Sequence, residues 1–168
     1  LQKPLNLIKH HNFFDYIFLD TAPNLTTPTL AAYMCADYFV LSTLPDPFSV
    51  NGLGDALKDL RDAQARGNEN LKLLGVIVSS IDNRTSLANS LTQYVDEAFR
   101  SEIGNGKFNT TISRSTVIPQ AQKVGKTLFE TAPTHKVTQE YRDLAKELEQ
   151  RLVMLNSKNI SQGSVANG

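Results

Sequence analysis

The sequence predicts an α/β fold: a mostly parallel sheet covered by helices. Short apolar runs at residues 14–20, 38–42 and 71–80 alternate with longer stretches in which apolar residues recur at helical spacing. The run through Leu73, Leu74, Val76, Ile77 and Val78 is nearly continuous, as in a strand buried on both faces. Helix-length stretches separate these runs, so crossover connections rather than hairpins join them, and such crossovers are right-handed.

The opening Leu5-Asn6-Leu7-Ile8-Lys9-His10-His11 reads as the end of a helix that feeds the first strand, Phe14 to Asp20, and suggests a segment of a longer protein. Thr27 and Pro28 start the next helix, with Leu30, Ala31, Met34 and Cys35 on its apolar face. A strand over Tyr38–Ser42 leads into the stiff loop Thr43-Leu44-Pro45-Asp46-Pro47. From Val50 to about Arg66, Leu53, Ala56, Leu57, Leu60 and Ala63 share one helix face, which Gly67 and Asn68 end. The buried strand Leu71–Ser80 follows, and then the polar turn Asp82-Asn83-Arg84-Thr85.

Leu87, Leu91, Tyr94, Val95, Ala98 and Phe99 define a further amphipathic helix, and Gly104-Asn105-Gly106 breaks the chain before a short strand at Phe108–Ile112. A brief helix spans about Ile118 to Val124, stopped by Gly125, and Thr131-Ala132-Pro133 bends the chain. The last helix has Val137, Tyr141, Leu144, Leu148, Leu152 and Leu155 on its apolar stripe and charges of both signs on the opposite face. One domain over residues 1–155 is expected, and the polar tail 156–168 is expected to be disordered.

Bulk properties narrow the function classes. At 168 residues and 40% hydrophobic content the chain suffices for one substantial core. Lys plus Arg and Asp plus Glu balance at 17 each, so no global field draws it to nucleic acid or anionic lipid, and polyanion binding must come from local patches. Cys35 lies among apolar residues and reads as a core side chain, while His10, His11 and His135 lack the companions of a metal site. With no secretory or long apolar segment, the expected address is the cytoplasm.

The run Phe14-Asp15-Tyr16-Ile17-Phe18-Leu19-Asp20 ends in a carboxylate and then a turn, as a Walker B strand does when it delivers one Asp to the water shell of a nucleotide-bound Mg²⁺. In parallel sheets ligands gather beyond the carboxyl ends of the strands. Asp20, Pro45–Pro47, Asp82–Arg84 and Ile112–Ser115 all fall at such ends.

An ordered series of motifs resembles the ParA/MinD group of deviant Walker ATPases, and within it the ParA (Soj-like) partition proteins. The series runs from Phe14 to Leu152 and includes Asp20-Thr21-Ala22-Pro23, Ala36–Leu41, Pro45–Leu53, Leu74-Gly75-Val76-Ile77-Val78, Ile112-Ser113-Arg114-Ser115 and Tyr141–Leu148. Two positions depart from the pattern. Ala22 replaces the first proline of a pair, and Ser113 takes the place of the proline that usually follows the isoleucine.

The resemblance implies a P-loop NTPase-like fold, of which this chain is the carboxy-terminal portion, and an ATP-driven partition cycle. Asp20 would hold Mg²⁺ through water, and Thr21 and Pro23 would form a switch turn sensing the γ-phosphate. Ser79, Ser80, Ile112, Ser113, Arg114 and Ser115 would shape the base pocket, with Pro45, Asp46 and Pro47 on its rim. Implied cofactors are ATP and Mg²⁺, and implied partners are a second copy on ATP binding, a centromere-binding ParB-like protein and nonspecific DNA, reached near the nucleoid. Lys123, Lys126, Arg142 and Lys146 are the candidate DNA contacts.

No G-x-x-x-x-G-K-[ST] loop occurs in the 168 residues, so the chain alone is expected not to hydrolyse ATP. A MinD-like membrane-cycling ATPase is an alternative, but the tail from Ser157 to Gly163 carries no hydrophobic face, and no membrane partner is expected. A noncatalytic interaction module of the same fold is the other.

Overall fold

The computed structural model describes residues 1–11, 14–22, 26–82, 90, 93–97 and 106–163. The fold is α/β, with parallel strands and helices alternating along the chain. The chain divides into two compact units, residues 1–39 with 51–73 and residues 40–50 with 74–168.

The first unit holds α1 (Gln2–His10), α2 (Thr27–Tyr33) and most of α3 (Pro47–Ala65). Helix α2 begins where its sequence asks: the Thr26 hydroxyl accepts the Thr29 N–H at 3.4 Å, and Pro28 sits in the first turn, where its missing N–H costs nothing. Leu53, Leu60 and Ala63, at helical spacing, form the buried face of α3. The side-chain amide of Asn68 donates to the Tyr33 carbonyl at 2.6 Å and the Ala36 carbonyl at 2.8 Å, so the turn after α3 closes the end of α2. Tyr33 and Phe39 meet edge to face at 4.7 Å.

Strand β1 (Tyr38–Thr43) pairs with β2 (Lys72–Val78). The ladder is parallel, since the Lys72 N–H reaches the Asp37 carbonyl at 3.2 Å and the Ser79 N–H reaches that of Thr43 at 3.0 Å. Within the second unit a third parallel segment follows β2, bridging Val76 to Lys107 and Ile81 to Ser113. Between those bridges the inner chain advances five residues and the outer segment six, so the outer chain bulges at 109–111. Ser80 takes a left-handed φ of 57°, which lets the inner chain rejoin the ladder at Ile81.

The expected strand Phe14–Asp20 is corrected by the structure. No ladder reaches the described residues 14–20, and Phe18 is 78% exposed. Apolar composition gives a strand its propensity, but its N–H and C=O groups need neighbouring strands, and none of the described strands takes this position. The expected helix at 87–99 lies largely outside the described residues; within them 93–97 are helical and Val95 is buried.

After the short helices α4 (Val117–Lys123) and α5 (Leu128–Thr131), α6 runs Lys136–Gly163, past the end expected at residue 155. No glycine or proline interrupts it before Gly163, and the Ser157 hydroxyl donates back to the Val153 carbonyl at 2.5 Å. Its inward face also differs from expectation. Val137, Leu144 and Arg151 are buried, whereas Tyr141 is 36% exposed. Glu140, Glu147 and Arg151 fall in phase with Val137 and Leu144, so three charges lie on the face expected to be apolar.

These charges have built partners. Arg151 donates to the carbonyls of Leu74 at 3.1 Å and Lys107 at 2.5 Å and to Glu147 at 2.9 Å, with its guanidinium 4.1 Å above the Phe108 ring. Glu147 accepts the N–H groups of Asn109 and Thr110, each at 2.8 Å, across the bulge.

Burial pushes the Glu147 carboxyl pKa up, but the Thr110 and Asn109 amides, the Thr110 side chain and Arg151 together hold it below its ordinary 4.5. A folded-state pKa depressed in this way contributes stability above the unfolded value and loses it as pH falls through the folded one. Urea midpoints of the chain should therefore drop from about pH 5 to about pH 3, and Glu147→Gln should flatten part of that slope. An identical slope in the variant would remove Glu147 from the acid response.

Candidate functional site

At the carboxyl end of the parallel segments in the second unit lies a cleft of about 590 Å³, lined by Ile81, Asp82, Ser113–Thr116, Pro119 and His135–Val137. Its volume falls within the ~300–1,000 Å³ usual for small-molecule sites. One wall is the ladder residue Ile81 with the loop entering α4; the other is the first turn of α6.

Local bonds fix both walls. Ile81 receives the Arg114 N–H at 2.8 Å and donates its own to Ile112 at 3.0 Å, which pins the chain on each side of Ser113. At the opposite wall the Thr138 hydroxyl donates to the Ala132 carbonyl at 2.6 Å, and the Val137 N–H donates to His135 Nδ1 at 3.2 Å. His135 thus caps α6 through Nδ1.

Ser113, Arg114 and Ser115, among the residues singled out for the base pocket, line this cleft together. Ile112 does not: it is 2% exposed, its N–H goes to the Val78 carbonyl at 3.1 Å, and its side chain belongs to the core. Ser79 and Ser80 are not among the lining residues. The Ser79 N–H and hydroxyl both point to the Thr43 carbonyl, at 3.0 and 3.4 Å, which closes the end of the β1–β2 ladder.

The rim loop has a local task. Asp46 accepts the Phe48 N–H at 3.1 Å, the Ser49 N–H at 2.9 Å and the Ser49 hydroxyl at 2.6 Å, so it caps α3 with Pro47 in the first turn. The Ser49 bonds, side chain before backbone, and then the Phe48 amide hold its carboxyl below the ordinary 3.8.

Asp20 and Thr21 lie in the first unit and are exposed, and Pro23 falls outside the described residues. Among the described residues no group of three or more His, Cys, Asp or Glu side chains forms a metal cage. A single carboxylate fits Mg²⁺ that arrives with its nucleotide, because that ion keeps waters and phosphate oxygens as most of its ligands.

Of the candidate DNA contacts, Lys123 and Lys126 are exposed. Arg142 donates to the Pro133 carbonyl at 2.8 Å and stands 5.3 Å over the Phe129 ring, while Lys146 lies 3.8 Å from Asp143. Glu140, His135 and Lys136 at the cleft were not anticipated. Their trace in the sequence is phase: Glu140 recurs one heptad before Glu147 on the stripe of Val137 and Leu144.

A family model described as an AAA domain matches residues 1–73. The chain is 33% identical over 139 residues to the chromosome-partitioning ATPase Soj of Thermus thermophilus, covering 83% of this chain and 54% of that protein. It is 28% identical over 148 residues to the sporulation initiation inhibitor protein Soj of Bacillus subtilis, covering 88% and 56%. To a ParA family protein of Chlamydia pneumoniae it is 30% identical over 135 residues, covering 80% and 51%. The chain spans about half the length of the curated relatives it matches.

Proposed function

Because the chain belongs to the ParA/Soj-like family of partition ATPases, we propose that it is the part of such an ATPase that reads the nucleotide base and relays its state. The observation that carries this reading is the cleft beyond the parallel segments, where Ser113, Arg114 and Ser115 face the first turn of α6. An adenine ring fits a slot with apolar walls at Ile81, Pro119 and Val137 and polar groups at its edges.

ATP with its Mg²⁺ supplies the scissile phosphoanhydride. Asp20 would hold the water shell of the ion, and Thr21, with Pro23 outside the described residues, would supply the switch that the family resemblance implies for the γ-phosphate. The triphosphate itself needs a glycine-rich loop, which these 168 residues do not contain. The cycle is that of a cytoplasmic, nucleoid-associated dimer: ATP joins two copies, the dimer holds DNA nonspecifically, and a centromere-binding ParB-like partner triggers release. Exposed Lys123 and Lys126, with Arg142 and Lys146, supply phosphate contacts. No helix among the described residues is long and apolar enough to cross a bilayer.

The test is Mg²⁺-dependent ATP turnover by the full product of the reading frame that encodes this chain. Asp20→Asn should lower kcat by roughly 10²-fold or more, as expected when charge at the phosphoryl group loses its fixed stabiliser. The isolated 168 residues should show no turnover. Unchanged hydrolysis in the Asp20 variant would falsify the assignment of this carboxylate to the metal.

A further inference from the structure

We propose that Glu140 is a positioning residue for the cleft, one that holds Ser113 on one wall and Lys136 on the other. Its carboxylate accepts the Ser113 N–H at Oε2 and the Ser113 hydroxyl at Oε1, both at 2.7 Å, and Oε1 lies 3.5 Å from the Lys136 ammonium. The Glu140 side chain is 15% exposed, and Ser113 and Lys136 both line the cleft. This assignment rests on the reading of that cleft as the base site.

The strand geometry explains why such a residue is needed. The N–H groups of Ile112 and Arg114 point into the ladder, toward Val78 and Ile81, so that of Ser113 points the other way, off the outer edge. An edge N–H left half-buried needs an acceptor. A proline at this position would present no N–H. Serine instead presents two donors, and Glu140 has the two carboxylate oxygens that match them. Serine and glutamate therefore act as one hydrogen-bonded unit, and that unit fixes the cleft wall.

The experiment is calorimetric titration of the full reading-frame product with ADP and, separately, inorganic tripolyphosphate. Glu140→Ala should raise the Kd for ADP about tenfold, the loss of hydrogen bonds to a charged acceptor, and leave tripolyphosphate within about twofold. Glu140→Gln keeps one acceptor oxygen and should lose about threefold, which keeps the question answerable if the alanine variant folds poorly. The double variant Ser113→Pro with Glu140→Leu removes donors and acceptor together and should bind ADP more tightly than Glu140→Ala.

Equal weakening toward ADP and tripolyphosphate, or no change toward either, would overturn the assignment. So would a double variant no better than the single one. If the unsubstituted protein binds tripolyphosphate but gains nothing from the nucleoside, the base-site reading itself fails and the assignment falls with it.

Discussion

Arg151→Ala should cost the second unit about 3–5 kcal/mol of folding stability, the range for removing one member of a buried ion pair. Arg151 is 8% exposed, and its loss strands the Leu74 and Lys107 carbonyls, leaves Glu147 with only its Asn109 and Thr110 donors, and uncovers the face of fully buried Phe108. Each stranded buried acceptor carries a penalty of about 1–3 kcal/mol, so two of them already account for much of the total. Lysine in place of arginine keeps the charge but not the planar fork, and only part of the loss should be recovered. Urea unfolding of the three proteins checks this, and an alanine variant within about 1 kcal/mol of the parent would mean that water replaces the guanidinium at little cost.

Gly75→Ala should destabilise the same cluster by about 3 kcal/mol or more, a sum of overpacking and backbone strain. A Cβ at Gly75 would lie 2.6 Å from Arg151 Nη1 and 2.7 and 2.9 Å from two Phe108 ring carbons, at a φ of 156°. The guanidinium could swing aside only by giving up the Leu74 carbonyl, and the Phe108 ring is fully buried. The two substitutions share partners, so their effects should not add; the double variant should cost less than the sum of the singles. Additivity there would show that glycine matters through its own backbone and not through the room it leaves for Arg151 and Phe108.

Much of this architecture was legible in the chain. The near-continuous run through Leu73–Val78 is a buried parallel strand because apolar residues on both faces leave no other stable placement. Thr27 and Pro28 mark a helix start because proline's missing N–H costs nothing in the first turn, whereas α3 begins at Pro47, three residues before the expected Val50, where Asp46 caps it. Ser113–Ser115, placed at the carboxyl end of a strand by the sequence and given a base-pocket role only through the resemblance, line the cleft. Other readings needed more than local pattern. Phe14–Asp20 has the composition of a strand, yet pairing depends on neighbours that composition does not supply. On α6 the leucine spacing hid the fact that Glu140, Glu147 and Arg151 share the stripe of Val137 and Leu144.

Sequence by itself determined the alternation of strand and helix, the parallel sense of the ladder and, through its ordered motifs, the resemblance to the ParA/Soj-like partition proteins. Those follow from periodicity, capping and motif order, which are short-range properties of the chain. Tertiary structure alone decided that a charged stripe on the last helix closes the sheet edge and shapes the cleft. A carboxylate is solvated or buried according to which donors lie within about 3 Å of it, and here those donors come from residues 27 to 38 positions away in sequence.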